Sequence, residues 1–338
     1  MLSNPSFPLL KLPLVVLRRI CANWVPIDLL VLSNVSKRTM LRLHSVIPRK
    51  RFKLKVLFWM NSRAFVLDGT TEHVIDIPFE QRNRINWKDD IYFLDFIFED
   101  ISIRNIISMF DQMSYVFNTD IHSISMNANQ CSGKVSRILC WLNYRQKSID
   151  DVKIDFNTRE DIADIISLCQ TLNIKKNLDI ANFFESHKGK KLNPKYEMDN
   201  LWLHAYNLDQ WITLDNIMDF DCIHMNLTSF SFTSSDMNRY LKAWINGCNF
   251  RMKYLSLGLR PLDLKVLTDG IEVEEVNASI VRSYNSKILR GPCVFEDGTN
   301  IRSKDGRRAT FKQITNNDYL DSKRCSPFKM MVWLEDGQ

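Results

Sequence analysis

The sequence predicts an α/β protein with a small helical head, a body of alternating strands and helices, and a C-terminal β-hairpin that caps the sheet. Three observations support this fold class. Apolar residues recur at helical spacing up to residue 47, Leu-x-Leu strand patterns recur every 22 to 32 residues, and Asp305-Gly306 marks a hairpin turn. The segments are expected at 1–52, 53–120, 121–290 and 291–338.

Composition places the chain among globular proteins with a substantial core. Its 338 residues are 45% apolar and 25% charged, which are ordinary values for folded domains. Glycine is scarce, and no Gly-x-Gly occurs, so glycine-rich nucleotide-binding loops are not expected. The eight cysteines form no Cys-x-x-Cys pair and the six histidines are widely spaced. We therefore expect no catalytic site, no metal and no cofactor.

The same features predict an intracellular protein, cytoplasmic or nuclear. Pro8, Lys11 and Pro13 interrupt the first apolar run, which is untypical of a secretory signal. No uncharged apolar stretch approaches the ~18 residues that cross a bilayer, so no membrane partner is expected. Scattered cysteines are typical of reduced thiols in these compartments.

Three short helices are predicted in the head. Pro13 suits the start of the first, in which Leu14 and Leu17 share one face. Pro26 opens the second, and Pro48 ends the third.

The head carries more apolar residues than three short helices can bury. Residues 7–47 include 24 apolar residues out of 41, so the surplus is expected to pack on the body or on a partner. Residues 1–60 also carry a net charge of +10, whereas the rest of the chain carries −4. An apolar, basic head favours an acidic partner.

A series of short motifs runs through the head in a fixed order: Phe7-Pro8-Leu9-Leu10, Leu12-Pro13, Leu17, Ile20, Pro26-x-Asp28-Leu29, Leu32-Ser33 and Val35-Ser36-Lys37-Arg38. This series resembles an F-box, although Val15 and Thr39 depart from the usual pattern. The resemblance implies that the head binds a Skp-type adaptor and, through it, a cullin ubiquitin ligase. The adaptor-binding residues are then expected to be Leu12, Pro13, Leu17, Ile20, Leu29 and Leu32.

The body alternates strand and helix patterns. Helices are predicted over 159–172 and, with Ser234 or Ser235 as the cap, up to residue 245. Units of this length are typical of leucine-rich-repeat solenoids, although no consensus Asn ladder is evident. A doubly wound α/β domain is the alternative, and both arrangements predict a mostly parallel sheet. The strands are expected at 53–59, 63–68, 73–77, 124–126, 152–156, 178–180, 201–203, 223–227 and 255–259.

The sequence also predicts the burial of individual residues in the body. His224 lies in an alternating strand, opposite the face of Ile223, and is expected to be half exposed. Trp202, Trp211, Trp244 and Trp333 are expected to anchor the core, although one of them could instead be an exposed hot spot for binding.

A second set of motifs lies in the C-terminal half: Leu201-x-Leu203, Trp211-x-Thr213-Leu214-Asp215, Cys222-Ile223, Asn238, Leu241-Lys242-x-Trp244, Gly247, Tyr254-Leu255, Lys304-Asp305-Gly306, Ala309-Thr310 and Phe328-x-Met330-x-Val332-Trp333. These motifs resemble the F-box-associated domain of the large nematode-expanded F-box family. Together the two resemblances imply a non-catalytic substrate-recognition subunit of an SCF (Skp–cullin–F-box) ubiquitin ligase. The residues that bind a target are not identified by the sequence.

Two alternatives remain open at this point. The chain could be a repeat-type protein-interaction scaffold with no role in ubiquitin transfer, in which the head only caps the core. It could also bind nucleic acid through the basic run between Arg49 and Lys55. That run lacks interleaved aromatic residues for stacking on bases, so nucleic acid is the less favoured partner.

Overall fold

The computed structural model confirms the α/β class and divides the chain into two compact units, 1–149 and 150–338. The division falls inside the predicted segment 121–290. The structure describes residues 9–58, 62–69, 71–77, 91–93, 103–127, 135–156, 169, 171–182, 197–204, 212–228, 232–259, 262–275, 282–284, 293–313 and 326–333.

Helices form at the predicted places in the described part of the head. A short 3-10 turn at Leu9–Lys11 precedes them. Pro13 lies just before the first helix and Pro26 in the first turn of the second, where a missing backbone N–H costs nothing. The Ser36 hydroxyl caps the third by accepting a hydrogen bond from the Thr39 N–H, at 3.1 Å. The helices are α1 (Leu14–Ala22), α2 (Pro26–Ser33) and α3 (Lys37–Val46).

A mixed sheet and two longer helices complete the described part of the first unit. Their bounds are β1 (Phe52–Phe58), β2 (Ser62–Asp68), β3 (Thr71–Ile77), β4 (Ile91–Phe93), α4 (Ile103–Val116), β5 (Ile121–Asn127) and α5 (Val135–Arg145). The strands lie in the order β4-β3-β2-β1-β5. β2 is antiparallel to both its neighbours, whereas β1–β5 and β3–β4 are parallel. Every second side chain of β1 is buried, as alternation along a strand requires.

The head packs on α4, and one arginine joins it to the sheet. Both α2 and α3 contact α4. The Arg51 guanidinium donates to the carbonyl oxygens of Cys21 and Trp24, at 2.7 and 3.1 Å, and to the Asp68 carboxylate at 2.7 Å. These carbonyls lie at the end of α1, where backbone acceptors have no partner inside the helix. Arg51 therefore joins the end of α1 to β2.

The second unit is built on a sheet that is parallel in its first part and antiparallel in its second. Its elements are β6 (Ser148–Phe156), β7 (Asn173–Asn182), β8 (Glu197–His204), α6 (Leu214–Asp219), β9 (Asp221–Leu227), α7 (Ser234–Ile245), β10 (Tyr254–Leu259), α8 (Leu264–Leu267), β11 (Glu274–Glu275), β12 (Arg282–Tyr284), β13 (Cys293–Phe295), β14 (Thr299–Arg302), β15 (Arg308–Gln313) and β16 (Ser326–Trp333). The described strands lie in the order β6-β7-β8-β9-β10-β16-β15-β14-β11, and β12 and β13 form a separate two-stranded sheet.

The parallel strands follow one another in the order of the chain. β7 pairs in parallel with β8, β8 with β9, and β9 with β10. Sequential neighbours are what a strand–helix repeat requires. The relationship to leucine-rich repeats remains a prediction.

One face of these strands and one face of α7 form the apolar core of the second unit. Because side chains alternate along a strand, the residues of each Leu-x-Leu pattern share one face. On α7 the buried side chains follow helical spacing. The buried residues include Leu178, Ile180, Leu201, Leu203, Met225, Leu227, Leu255, Leu257, Met237, Tyr240, Leu241 and Trp244.

The start of α7 differs by one residue from the prediction. Ser234 is the first helical residue, and Thr233 is the cap. The Thr233 hydroxyl accepts from the Asp236 N–H at 3.2 Å, and the Asp236 carboxylate accepts from the Thr233 N–H at 2.9 Å, which is a capping box. The predicted helix over 159–172 lies mostly outside the described residues, and its Cys169 and Thr171 are helical.

The C-terminal strands form the predicted hairpin but a longer turn. Arg302 pairs with Arg308, so residues 303–307 connect β14 to β15, and the predicted two-residue turn at Asp305-Gly306 is wrong. β16 lies between β10 and β15 and is antiparallel to both. The C-terminal strands therefore extend the sheet beyond β10, with the two-residue β11 at the edge, and the sheet is less parallel than predicted.

Candidate protein-binding surfaces

Large apolar side chains are exposed on the helical head. Val15 of α1 is 79% exposed, and Val31 of α2 also faces solvent for more than half of its surface. Seven such side chains lie between residues 14 and 41, which makes this part of the head a candidate contact surface. Between residues 14 and 41 the exposed set, here called the head surface, consists of Leu14, Val15, Val16, Val25, Val31, Val35 and Leu41.

The predicted adaptor-binding residues lie at different depths in the head. Leu17 is 3% exposed and Leu29 0%, so both mainly hold the helices together. Ile20 and Leu32 are half-buried and line an apolar depression together with Leu17. Their role toward an adaptor remains a prediction. The other two residues precede α1: Leu12, which is half-buried, and Pro13, which is exposed.

Part of the basic run after the head is occupied by contacts within the chain. Arg51 binds the end of α1 and Asp68, as described above, and its guanidinium lies 4.4 Å from the centre of the Phe52 ring. Lys55 pairs with Glu72 at 3.3 Å. These contacts leave fewer cations for phosphate groups than the sequence predicts, which weakens the nucleic-acid alternative.

A row of polar side chains crosses the parallel strands on the face opposite the Leu-x-Leu residues. It consists of Asp151, Asn177, Asn200 and His224, and is here called the polar row. Asn177 pairs in register with Asn200, and Asn200 with His224. The Asn200 amide donates to Asn177 Oδ1, and the Asn177 amide donates to the Asp151 carboxylate.

This row is not evident as a consensus Asn ladder in the sequence, because its members differ in residue type. The available signal is positional, since Asp151, Asn177 and Asn200 each directly precede the first apolar residue of a strand pattern, and His224 precedes Met225 within its own pattern. Asn177 precedes Leu178, and Asn200 precedes Leu201. Residues at equivalent points of parallel neighbours meet across the sheet.

His224 is buried, not half exposed as predicted. It is 6% exposed, and its Nδ1 lies 2.7 Å from Asn200 Oδ1. Because this oxygen can only accept, Nδ1 carries the proton and Nε2 accepts from the Tyr284 hydroxyl, at 2.7 Å. Burial lowers the pKa of His224, and the charge of Lys253 lowers it further, while Asp199 acts in the opposite direction.

The two-stranded sheet of β12 and β13 packs over the face of the main sheet that carries the polar row. Phe295 of β13 contacts Tyr254 of β10 and Met331 of β16, with Tyr284 and Trp333 against them. Trp333 is half-buried and packs against this apolar cluster, in agreement with the prediction that it belongs to the core.

A second group on this face is more accessible and is here called the open patch. It consists of Lys153, Asp155, Asp179, Trp202 and His204. The Lys153 ammonium lies 3.6 Å from the Asp155 carboxylate and 3.7 Å from that of Asp179. Asp179 pairs in register with Trp202, and the ring of Trp202 lies 5.9 Å from that of His204. Trp202 is half-buried, so it is not the fully enclosed anchor that the sequence predicts.

The Lys304-Asp305-Gly306 motif holds the β14–β15 turn against the end of α7. Its Lys304 N–H donates to the Ile245 carbonyl at 2.9 Å. The Asp305 carboxylate accepts from Arg307 Nε at 2.8 Å, and the Arg307 guanidinium lies 5.1 Å from the Trp244 ring. The motif thus has a structural role, and Trp244 is fully buried, as predicted.

Comparison with known families gives one result. Residues 195–257 match a family model described as F-box associated. The match runs from just before β8 into β10, and it includes Trp202, His204 and His224. Searches of curated proteins and of solved structures gave no significant match. The F-box-associated segment agrees with the second resemblance seen in the sequence.

Within the described residues, no group of three or more His, Cys, Asp or Glu side chains is arranged to hold a metal ion. None of the helices in the described ranges is both long enough and apolar enough to span a membrane.

Proposed function

We propose that the protein is a non-catalytic substrate-recognition subunit of an SCF ubiquitin ligase. The head binds a Skp-type adaptor and, through it, a cullin ligase, while the second unit binds a target protein. The observation that carries the proposal is the F-box-associated segment at 195–257. Ubiquitin transfer would be performed by other subunits, and this chain would contribute proximity by holding the target on the same scaffold.

The head surface supports the adaptor-binding part of the proposal. Its exposed valines and leucines offer apolar contact area, and α1 and α3 also carry the exposed cations Arg18, Arg19, Lys37 and Arg38. Such a surface fits an acidic partner, with the charges accelerating association more than they raise affinity. It follows that the adaptor contacts include Val15 and Val31 in addition to the residues predicted from the sequence.

The test is binding of the full chain to a purified Skp-type adaptor. Each buried valine contributes about 1.5 kcal/mol, so Val15→Asp with Val31→Asp should weaken binding by more than about ten-fold. Both residues are exposed, so the variant should unfold at the same temperature as the wild type. Leu264→Asp is the matched control, because Leu264 is a similarly exposed apolar residue of the second unit.

Two outcomes contradict the proposal. One is a wild-type chain that does not bind the adaptor, which favours the scaffold alternative. The other is a folded double variant that binds as tightly as the wild type, which rejects the head surface as the interface. The exposed positions are preferred to Leu17 and Leu29, because an Asp at either buried position would unfold the head.

A further inference from the structure

We infer that the open patch binds a basic segment of the target protein, with an arginine or lysine head group between Asp155 and Asp179 and its aliphatic stem against Trp202. The inference rests on the proposed target-recognition function, and it names the surface and the chemical class of the target segment.

Among the residues that the structure describes, the charges of the open patch do not balance. Two carboxylates, Asp155 and Asp179, share the single ammonium of Lys153 at 3.6 and 3.7 Å. These distances lie beyond ordinary hydrogen-bond contact, and the three side chains are 29–44% exposed. A second cation can therefore reach both carboxylates and neutralise the excess negative charge.

Trp202 supplies the second part of a cation site. It lies opposite Asp179 on the neighbouring parallel strand, and strands in a sheet are about 4.8 Å apart. An indole ring attracts a cation at its face, and a guanidinium can stack there while donating paired hydrogen bonds to a carboxylate. Carboxylate and indole side by side thus favour arginine, and lysine next.

The neighbouring side chains favour a protein segment with polar backbone contacts. Asn226 follows Trp202 in register on β9, and Ser256 follows on β10. Asn226 is half-buried and can offer a hydrogen bond, whereas Ser256 is buried, and neither offers apolar area. Lys329 is the next residue in this register, on β16, so positive charge of the chain lies three strands away from Trp202. The end of the face around Asp155 is therefore the acidic end.

The environment of Asp155 agrees with this cation site. Burial raises the pKa of Asp155, the charge of Asp179 raises it further, and Lys153 offsets only part of this effect. A bound guanidinium would stabilise the ionised carboxylate and lower its pKa.

The experiment measures binding of two fluorescein-labelled peptides to the full chain by fluorescence anisotropy at low salt. In one peptide arginine alternates with serine, and in the other glutamate replaces arginine. We expect the arginine peptide to bind about ten-fold more tightly, and Asp155→Asn with Asp179→Asn to weaken it about five-fold. Trp202→Ala should weaken it about three-fold, since a cation–aromatic contact contributes about 0.5–1 kcal/mol at an exposed site.

The matched control is Glu272→Gln with Glu274→Gln, which removes the same charge from exposed positions of the same unit. Equal binding of the two peptides overturns the inference, as does equal weakening by the patch and control variants. Thermal unfolding of each variant excludes loss of fold as the cause.

Adaptor binding is measured on the same samples, so a chain that binds adaptor but not the arginine peptide rejects this inference alone. A chain that prefers the arginine peptide but binds no adaptor rejects only the ligase role.

Discussion

The Tyr284 hydroxyl donates a hydrogen bond to Nε2 of His224 across 2.7 Å, and the two rings lie 5.8 Å apart. This contact ties β12 to the polar row of the main sheet. Each donor in the row points in the same direction, from Tyr284 through His224 and two asparagine amides to the Asp151 carboxylate. Such chains of hydrogen bonds polarise one another and are stronger together than separately.

Acidification is expected to destabilise the protein through His224. Its folded pKa lies below the ordinary 6.5, so the unfolded chain takes up a proton first as the pH falls. The free energy of unfolding therefore decreases from about pH 6.5 down to the folded pKa and is unaffected by this group at higher pH. Thermal unfolding across this range should show a smaller pH dependence for His224→Gln than for the wild type. Identical pH profiles would contradict the assignment.

Neutralising Asp155 is expected to preserve or increase stability at pH 7. Its pKa is raised in the folded chain, so the folded state favours the protonated form. The stability from that form is complete below the ordinary pKa of 3.8 and is lost as the pH rises through the folded pKa. Asp155→Asn should therefore unfold at or above the wild-type temperature at neutral pH. A clear loss of stability would show that the carboxylate is needed for the fold.

Asp236→Asn is the matched contrast to this substitution. The Thr233 N–H holds the pKa of Asp236 below its usual value, and the Thr233 hydroxyl acts in the same direction. This carboxylate stabilises the folded state above the ordinary pKa, and the contribution is lost as the pH falls through the folded pKa. Asp236→Asn should lower the unfolding temperature at pH 7, opposite to Asp155→Asn. Shifts of the same sign would contradict both assignments.

Removing the side chain of Asn249 is expected to destabilise the second unit strongly. The buried amide donates to the carbonyls of Ile217, Met218 and Phe220 at 2.7–3.1 Å, and its oxygen accepts from the Tyr240 hydroxyl at 2.9 Å. Asn249→Ala would leave these groups unpaired, at a cost of about 2–4 kcal/mol. Urea unfolding measures the loss. Asn246→Ala is the control, because the Asn246 amide makes an exposed contact with one carbonyl.

Cysteine reactivity is expected to follow burial. Desolvation raises the pKa of Cys169 and Cys222 to about 12, so neither carries appreciable thiolate at neutral pH. Cys140 is exposed on α5. Among the described cysteines, Cys140 should be alkylated first at pH 7.5, as followed by peptide mass spectrometry. Rapid labelling of Cys222 in the folded chain would show that β9 is less protected than its packing indicates.

Local patterns predicted most of the elements. Pro13, Pro26 and Pro48 delimit the helices of the head because proline acts on its own backbone. The Leu-x-Leu pairs and the apolar face of α7 were found because both periods are fixed by backbone geometry. Trp244 was assigned to the core on the same basis.

Contacts between distant residues could not be predicted in this way. Leu29 is fully buried in a head whose α2 and α3 pack on α4, which lies some seventy residues further along the chain. His224 is buried because Asn200 and Tyr284 reach it from other strands, and an alternating pattern shows only which face it occupies. The turn at 303–307 was underestimated because Lys304 binds the last residue of α7 and Arg307 binds the Phe250 carbonyl beyond it, tertiary contacts that Asp305-Gly306 does not reveal.

Because side chains alternate along the parallel strands, the core residues and the outward-facing residues lie on opposite faces of the sheet. Ile180 and Leu203 lie beneath the sheet, while Asp179 and Trp202, their immediate neighbours in sequence, point the other way. Exchanging the outward residues therefore leaves the inner packing intact. A few substitutions on the outward side can thus alter the chemistry of the surface without a change of scaffold.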